Sequence, residues 1–210
     1  EKLYNESLIV FRKHFGDYHL RVSSVINNLA FIHIFREDHQ KAIPLLLESL
    51  NIKLKVLGEN HPDLILAYSN VGSTYFNVND FTNAEKFMKE SVNVGLKNYD
   101  ANNINLSRSY MWFGRVLDAN KNYKESILYL EKSYLIRKKE FGEKNKLTLT
   151  TQSLLGQTNL NAGNFIDAEK HLVASYNGLK EISGNESEAT QKTLASLIEL
   201  YKKIDKKDVA

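Results

Sequence analysis

Residues 68–88 of the chain are YSNVGSTYFNVNDFTNAEKFM, and this stretch decides the fold. Its first half has apolar or small residues at the i, i+3, i+4, i+7 spacing of an amphipathic helix, here termed helix A: Tyr68, Val71, Gly72 and Tyr75. A turn over residues 77–80 separates it from a second helix, B, in which Ala84 and Met88 stand one turn apart. The stretch therefore predicts a hairpin of two helices.

The same pattern returns every 42 residues along the chain. Five markers show the spacing: Gly16, Gly58, Asp100, Gly142 and Gly184. A large residue followed by a small one recurs in the same register in helix A: Leu29-Ala30, Val71-Gly72, Phe113-Gly114 and Leu155-Gly156. A fixed period of this length predicts stacked copies of one unit, because a single hairpin cannot bury its own apolar stripe. The predicted fold class is all-α, a right-handed α-solenoid of antiparallel helix hairpins.

The register also predicts where the helices lie. We expect one array over residues 1–210: helix B of a truncated repeat over 1–14, hairpins over 20–56, 62–98, 104–140 and 146–182, and a final helix over 187–204. The truncated first repeat leads us to expect further chain before Glu1. Pro44 falls inside the first helix B, where we expect a mild kink or a late helix start.

Two columns of small residues indicate close packing. Gly72, Gly114 and Gly156 predict points where helices A and B approach closely, since glycine is otherwise unfavourable in a helix. Helix B has a column of serines in register: Ser49, Ser91, Ser133 and Ser175. We expect these serines to be buried, with each hydroxyl bonded to the carbonyl four residues before it in the same helix.

Composition excludes several classes of function. The 210 residues include no cysteine, and 28 basic residues against 25 acidic ones leave a net charge of only +3. The lack of cysteine excludes disulfides and thiolate chemistry. The sequence also has no concentrated stripe of basic residues of the kind that would indicate binding to nucleic acid. No apolar run approaches the roughly 20 residues that span a bilayer, and no charged-then-apolar stretch in the given sequence predicts a signal peptide. We expect a cytoplasmic protein that binds neither nucleic acid nor membrane.

No constellation of catalytic or metal-binding residues is found. The histidines do not pair at ligand spacing on one helix, and the sequence has no HExxH motif, no glycine-rich phosphate loop and no Gly-x-Ser-x-Gly elbow. The sequence therefore predicts a non-enzymatic protein without cofactor or metal.

The repeat resembles the tetratricopeptide repeat, with its large-small pair and aromatic residue in helix A and its alanine and large apolar residue in helix B. The usual unit has about 34 residues, whereas this one has 42. The linker Leu57-Gly58-Glu59-Asn60-His61-Pro62-Asp63, with Asn27-Asn28-Leu29-Ala30 and Ala42-Ile43-Pro44-Leu45, is similar to the kinesin light chain subclass. The resemblance implies a scaffold that binds extended peptides or partner helices in a concave groove lined by the A helices.

From this resemblance, the candidate groove residues are those of helix A on the side opposite helix B. They are Asn27, Asn28, Phe31, Ser69, Asn70, Ser73, Phe76, Arg108, Met111, Trp112, Arg115 and Gln157.

Two features of this set have alternative interpretations. Asn28 and Asn70 stand one period apart, and their carboxamides could hold the backbone of a bound peptide or bond the neighbouring repeat. Trp112, beside Met111 and between two arginines, could anchor a partner residue or fill space between hairpins. The binding interpretation predicts a protein or peptide ligand with an apolar anchor and an acidic flank.

Two other functions stay open at this point. The array could be the regulatory or sensor region of a larger enzyme or signalling protein, for instance a bacterial one. It could also self-associate through its end repeats, because a cut repeat exposes apolar surface.

Overall fold

The structure is a computed structural model that describes residues 1–208, with side chains described through Asp205. The described residues form ten α-helices and no strand: α1 (Lys2–Phe15), α2 (Leu20–Phe35), α3 (His39–Leu57), α4 (Asp63–Asn77), α5 (Phe81–Asn98), α6 (Ile104–Ala119), α7 (Tyr123–Phe141), α8 (Lys146–Ala162), α9 (Phe165–Ser183) and α10 (Glu188–Asp208). The even-numbered helices are the A helices, and the odd-numbered ones are the B helices. The predicted class, an all-α solenoid of helical hairpins, is confirmed.

The chain divides into two compact units, where the sequence predicts one array. The first unit, Glu1–Ala101, contains α1 to α5, and the second begins at Asn102 and contains α6 to α10. The division falls next to Asp100, which stands in the glycine column of the repeat linker. Gly58 and Gly142 of that column have φ of 79° and 85° with ψ near 165°, a region that only glycine adopts readily. At Asp100 the chain takes another path, and α5 ends at Asn98 with Tyr99 extended (φ −139°).

Each unit has its own buried apolar core. In the first unit α2, α3, α4 and α5 contribute to one cluster, which includes Leu46, Leu64 and Val71, and α1 packs on a smaller cluster around Ile26. In the second unit α8, α9 and α10 meet around Leu172 and Leu200. The cores follow the repeat columns, so a few large residues per hairpin are enough to fix each helix pair.

The glycines inside helix A, Gly72, Gly114 and Gly156, mark points where helices A and B approach closely. A Cβ atom added to Gly114 would lie 2.6 Å from Cγ of Leu130 and 3.2 Å from the Ser126 carbonyl oxygen. A Cβ atom on Gly72 would meet Met88 at 3.0 Å. Since real side chains avoid such distances, the predicted close approach is confirmed.

The serine column is buried as predicted, but its hydrogen bonds run to a different helix. Three serines donate to a carbonyl 26 residues earlier, in helix A of the same hairpin: Ser49 to Ser23 (3.0 Å), Ser91 to Ile65 (2.8 Å) and Ser133 to Ser107 (2.7 Å). We call these bonds serine clips. Ser175 instead donates to Leu172 in its own helix, at 3.1 Å. The expected bond to the carbonyl four residues back is therefore wrong, because the neighbouring helix lies close enough to offer an acceptor.

The turn inside each hairpin contains one left-handed residue in the same register. It is Glu37 (φ 61°), Asn79 (φ 61°), Lys121 (φ 62°) and Gly163 (φ 80°). Glutamate and lysine adopt this conformation at a small energetic cost, whereas glycine does so freely. Helix α3 begins at His39, so the late helix start considered for Pro44 is wrong, and this proline lies inside the helix.

Candidate ligand-binding surfaces on the A helices

In the first unit, the candidate residues of α2 lie at the surface. Asn28 is exposed, Asn27 is half-buried and Phe31 is 41% exposed. Asn28 and Phe31 help to line a cleft of about 530 Å³, whose walls also include Tyr4, Phe35 and Arg36. The lining combines aromatic rings with the carboxamide of Asn28 and with Arg36, whose guanidinium donates to Glu1, and such a composition suits a large apolar side chain flanked by polar backbone.

The candidate residues of α4 are more enclosed. Ser69 and Asn70 are 1% and 4% exposed, and the Ser69 hydroxyl lies 2.9 Å from that of Ser91. Ser73 is half-buried and donates to the Asn70 carbonyl oxygen at 3.2 Å, while the ring of Phe76 packs 5.4 Å from that of Phe81. Asn28 and Asn70 share a register position but differ in exposure, which residue type alone does not reveal.

In the second unit, four candidate residues come together on α6. Arg108 is exposed, and Met111, Trp112 and Arg115 are half-buried. The Arg115 guanidinium carbon lies 4.2 Å from the centre of the Trp112 ring, a cation–π contact. Surrounding protein removes part of the water around each guanidinium and so lowers the pKa of both arginines from its ordinary value. Both groups remain charged at neutral pH, so this face of α6 presents partly dehydrated positive charge beside an aromatic ring.

Gln157 on α8 is committed to a polar network between A helices. Its amide nitrogen donates to Asn161 at 3.0 Å, and its amide oxygen accepts a short hydrogen bond from Ser196 on α10. Asn161 in turn donates to both carboxylate oxygens of Asp118 on α6, each at 3.1 Å. A ligand that used the Gln157 carboxamide would have to displace these bonds.

Sequence reasoning missed Arg137, a B-helix residue on α7 that reaches the A helices. It is 5% exposed, and its Nη1 donates to Thr151 Oγ1 (2.7 Å) and to the Leu147 carbonyl oxygen (3.3 Å), both on α8. Burial first and the charge of Arg108 second lower the pKa of Arg137 to about 10. A signal was present in the sequence, since the same register position in the next repeat is the apolar Leu179.

The second unit also contains a cleft, which lies among α7, α8 and α9 and has a volume of about 430 Å³. Among its lining residues are Glu131, Asp167 and His171. The Nδ1 atom of His171 is buried and makes no hydrogen bond with the described residues, and burial lowers the pKa of this imidazole.

Comparison with known families identifies the repeat. The tetratricopeptide repeat family matches residues 21–97 and 105–181, which together are more than half of the chain. The chain belongs to the tetratricopeptide repeat family. A search of curated proteins finds no match.

Several solved structures share this fold. The repeats of a Podosopora anserina protein described as a kinesin light chain superpose with a TM-score of 0.73 at 18% identity, covering 86% of this chain and 85% of that one. BtubC from P. vanneervenii superposes with a TM-score of 0.76 at 16% identity, covering 94% of this chain and 78% of the other. The apo form of RapI gives 0.61 at 17% identity, covering 97% of this chain and 58% of that protein. At these identities the similarity shows the fold alone.

The end helices of this tetratricopeptide repeat protein carry exposed apolar side chains. Leu3, Ile9 and Val10 on α1 are 77%, 69% and 60% exposed, and Ile198 and Tyr201 on α10 are 47% and 43% exposed. Self-association through these ends stays a prediction. Among the described residues, no helix has the length and apolar character needed to cross a membrane, and no group of acidic residues and histidines is arranged to hold a metal ion.

Proposed function

We propose that this protein is a non-catalytic interaction module that binds an extended peptide or a helix of a partner protein on the exposed faces of its A helices. The observation that carries the proposal is the cluster on α6, where the Arg115 guanidinium lies over the Trp112 ring and Met111 is half-buried on the same helix. Tryptophan and arginine are the residues most often found at binding hot spots. Such a cluster favours a ligand with an apolar anchor and an acidic flank.

A comparison of equivalent positions on different A helices supports this placement. Phe31, Ser73, Arg115 and Gln157 occupy the same register position. Gln157 donates to Asn161 within α8 and accepts from Ser196 on α10, whereas Phe31 lines an open cleft. The A helices therefore differ in whether the side chains at this position are already engaged within the protein. We assign binding to the faces of α2 and α6.

A peptide selection followed by mutagenesis tests the proposal. Peptides selected from a random library on the whole protein would be measured by fluorescence polarisation against wild type, Arg115→Glu and Phe31→Ala. We expect Arg115→Glu to weaken the binding of peptides that lie on α6, and Phe31→Ala that of peptides that lie on α2, each by about tenfold or more, as loss of a hot-spot residue does. Lys124→Glu, on the exposed side of α7, makes the same charge change elsewhere and should leave affinity unchanged. Selected peptides that bind all of these proteins equally would place the site elsewhere.

A further inference from the structure

The guanidinium of Arg137 is buried between α6 and α8 without a countercharge. Its Nη1 contacts only neutral groups: Thr151 Oγ1, the Leu147 carbonyl oxygen and, at 3.6 Å, the sulfur of Met111. Within the described part of the chain, no carboxylate lies within 4.0 Å of Arg137. Arg108 on α6 adds a second positive charge nearby. Buried charges in proteins are normally paired, so this arrangement is unusual.

The unused edge of the guanidinium has a definite shape. Nε is buried and makes no hydrogen bond with the described residues, and neither does Nη2. The Nε and Nη2 hydrogens point the same way and form the fork that receives both oxygens of a carboxylate. Thr151 and Leu147 hold Nη1 from the other side, so this edge is fixed in orientation before any ligand arrives.

The fold does not need a cation at this position. One period later Leu179 stands in the same register and is fully buried, and one period earlier the residue is Gly95. Packing between hairpins is therefore achieved with an apolar residue or with no side chain at all. Two periods earlier the residue is Lys53, a cation that is only half-buried, so among these repeats a buried charge stands in this register at position 137 alone.

Met111 is the part of the candidate face of α6 that lies next to the guanidinium, with its sulfur 3.6 Å from Nη1. This side chain is half-buried on the candidate face of α6, and its sulfur touches the guanidinium. Methionine has three rotatable bonds and changes conformation readily, so it can move aside for a ligand. Arg108, exposed on the same helix, provides positive charge at the entrance.

We propose that Arg137, assisted by Arg108, binds a carboxylate of the partner, an aspartate or glutamate side chain that enters beside Met111. The inference rests on the proposed peptide-binding function and deepens it by assigning the acidic flank of the ligand to a buried residue of helix B. The incoming carboxylate accepts from Nε and Nη2 and neutralises the buried cation. Arg115 and Trp112 then hold the neighbouring apolar residue.

Two measurements on the whole protein test the assignment. The first follows the Nε–H resonance of Arg137 by NMR, identified by its loss in Arg137→Leu, during titration with succinate, inorganic phosphate or sodium chloride at equal ionic strength. We expect a saturable shift with succinate and none with chloride. A shift with phosphate but not with succinate, or no shift with either anion, would overturn the carboxylate assignment.

The second measurement uses paired peptides that differ only by Asp or Glu against Asn or Gln. Wild type should prefer the acidic member by about tenfold or more, the scale expected for a buried charge pair. Arg137→Leu should abolish the preference, and Arg137→Lys, which keeps the charge but loses the fork, should reduce it. The matched control Lys124→Leu removes an exposed charge from the same helix and should retain the preference in full.

The outcomes separate the two proposals. If no peptide binds while succinate still shifts the Nε–H resonance, the proposed function fails and the carboxylate site stands. If peptides bind without acidic preference, or if the preference survives in Arg137→Leu, the site is overturned and the function stands.

We expect Arg137→Leu to melt at the wild-type temperature or above, since an uncompensated buried charge is removed. A large fall in melting temperature with unchanged acidic preference would show a purely structural arginine. Should Arg137→Leu fail to fold, the succinate titration and Arg137→Lys still decide the question.

Discussion

Gly114 shows how one missing side chain sets the distance between two helices. Glycine inside a helix is less stable than alanine by about 1 kcal/mol. Its lack of a side chain, however, allows the α6 backbone to contact Leu130 on α7. The neighbour differs from repeat to repeat, because Gly72 faces the flexible side chain of Met88. The same glycine column should therefore tolerate a methyl group differently in the two hairpins.

We predict that Gly114→Ala destabilises the protein by about 1–3 kcal/mol, since the added methyl overlaps Leu130 in a packed core. Gly72→Ala is the matched control and should cost clearly less. A backbone carbonyl oxygen lies 3.2 Å from the added methyl in both hairpins, but the nearest side-chain atom is at 3.0 Å instead of 2.6 Å and belongs to the flexible thioether of Met88. Urea unfolding followed by circular dichroism measures both. Equal losses of stability in the two variants would contradict this account.

His171 occupies a column whose other members are apolar or aromatic, namely Leu45, Phe87 and Tyr129. Burial, and then the charge of Lys170, lower its pKa below 6.5, while Asp167 and Glu131 act weakly in the other direction. Below about pH 6.5 the unfolded chain therefore binds a proton more readily than the native protein does. The contribution of His171 to stability is complete above this pH and is lost as pH falls below it.

We predict that His171→Phe makes the protein less sensitive to acid. Between about pH 7.5 and pH 5, the free energy of unfolding should fall less in the variant than in wild type, because the phenyl ring cannot take up a proton. Urea titrations at a series of pH values give the two slopes. Identical slopes would mean that His171 titrates alike in the folded and unfolded chains.

At the scale of the element, the serine clips join the two helices of a hairpin through a single hydroxyl. We predict that Ser133→Ala costs about 1 kcal/mol, the usual net value of a buried hydrogen bond, because the bond to the Ser107 carbonyl is lost while that carbonyl keeps its helical partner. Ser175→Ala is the control, since its hydroxyl bonds only within α9, and it should cost clearly less. Thermal unfolding of both variants decides, and a larger loss in Ser175→Ala would contradict the role assigned to the clip.

Much of each element could be predicted from the sequence, because helix type and helix ends depend on local spacing. The stripe around Val71 and the linker glycines predict both. Three features could not be predicted, since they depend on contacts between segments distant in the chain. They are the hydrogen-bond partner of the Ser133 hydroxyl, the burial of Asn70 and the contacts of the Arg137 guanidinium with α8. The left-handed turn residue can be predicted at Gly163 and Asn79, whose residue types favour that conformation, but not at Glu37 and Lys121, which have no preference for it.

At the scale of the whole molecule, the two compact units lead to a prediction about folding. Fragments 1–101 and 102–210 expressed separately should each be helical and unfold cooperatively, because each contains its own buried clusters. The control fragments 1–120 and 121–210 separate α6 from α7 and part Gly114 from Leu130. Far-UV circular dichroism should then show less helix in the control pair than in the first pair. Equal helicity in both pairs would show that the division near Asp100 has no energetic meaning.

The serine clips bear on how a protein of this kind changes length. A clip needs a hydroxyl and a carbonyl 26 residues apart, and in the first three hairpins both partners recur every 42 residues. Duplicating or excising a segment of one full period, between any two equivalent points, leaves every remaining hydroxyl opposite its acceptor. An insertion of another length inside a hairpin separates them. Evolution can therefore lengthen or shorten this chain by whole modules without redesigning a single interior contact within the hairpins that are kept.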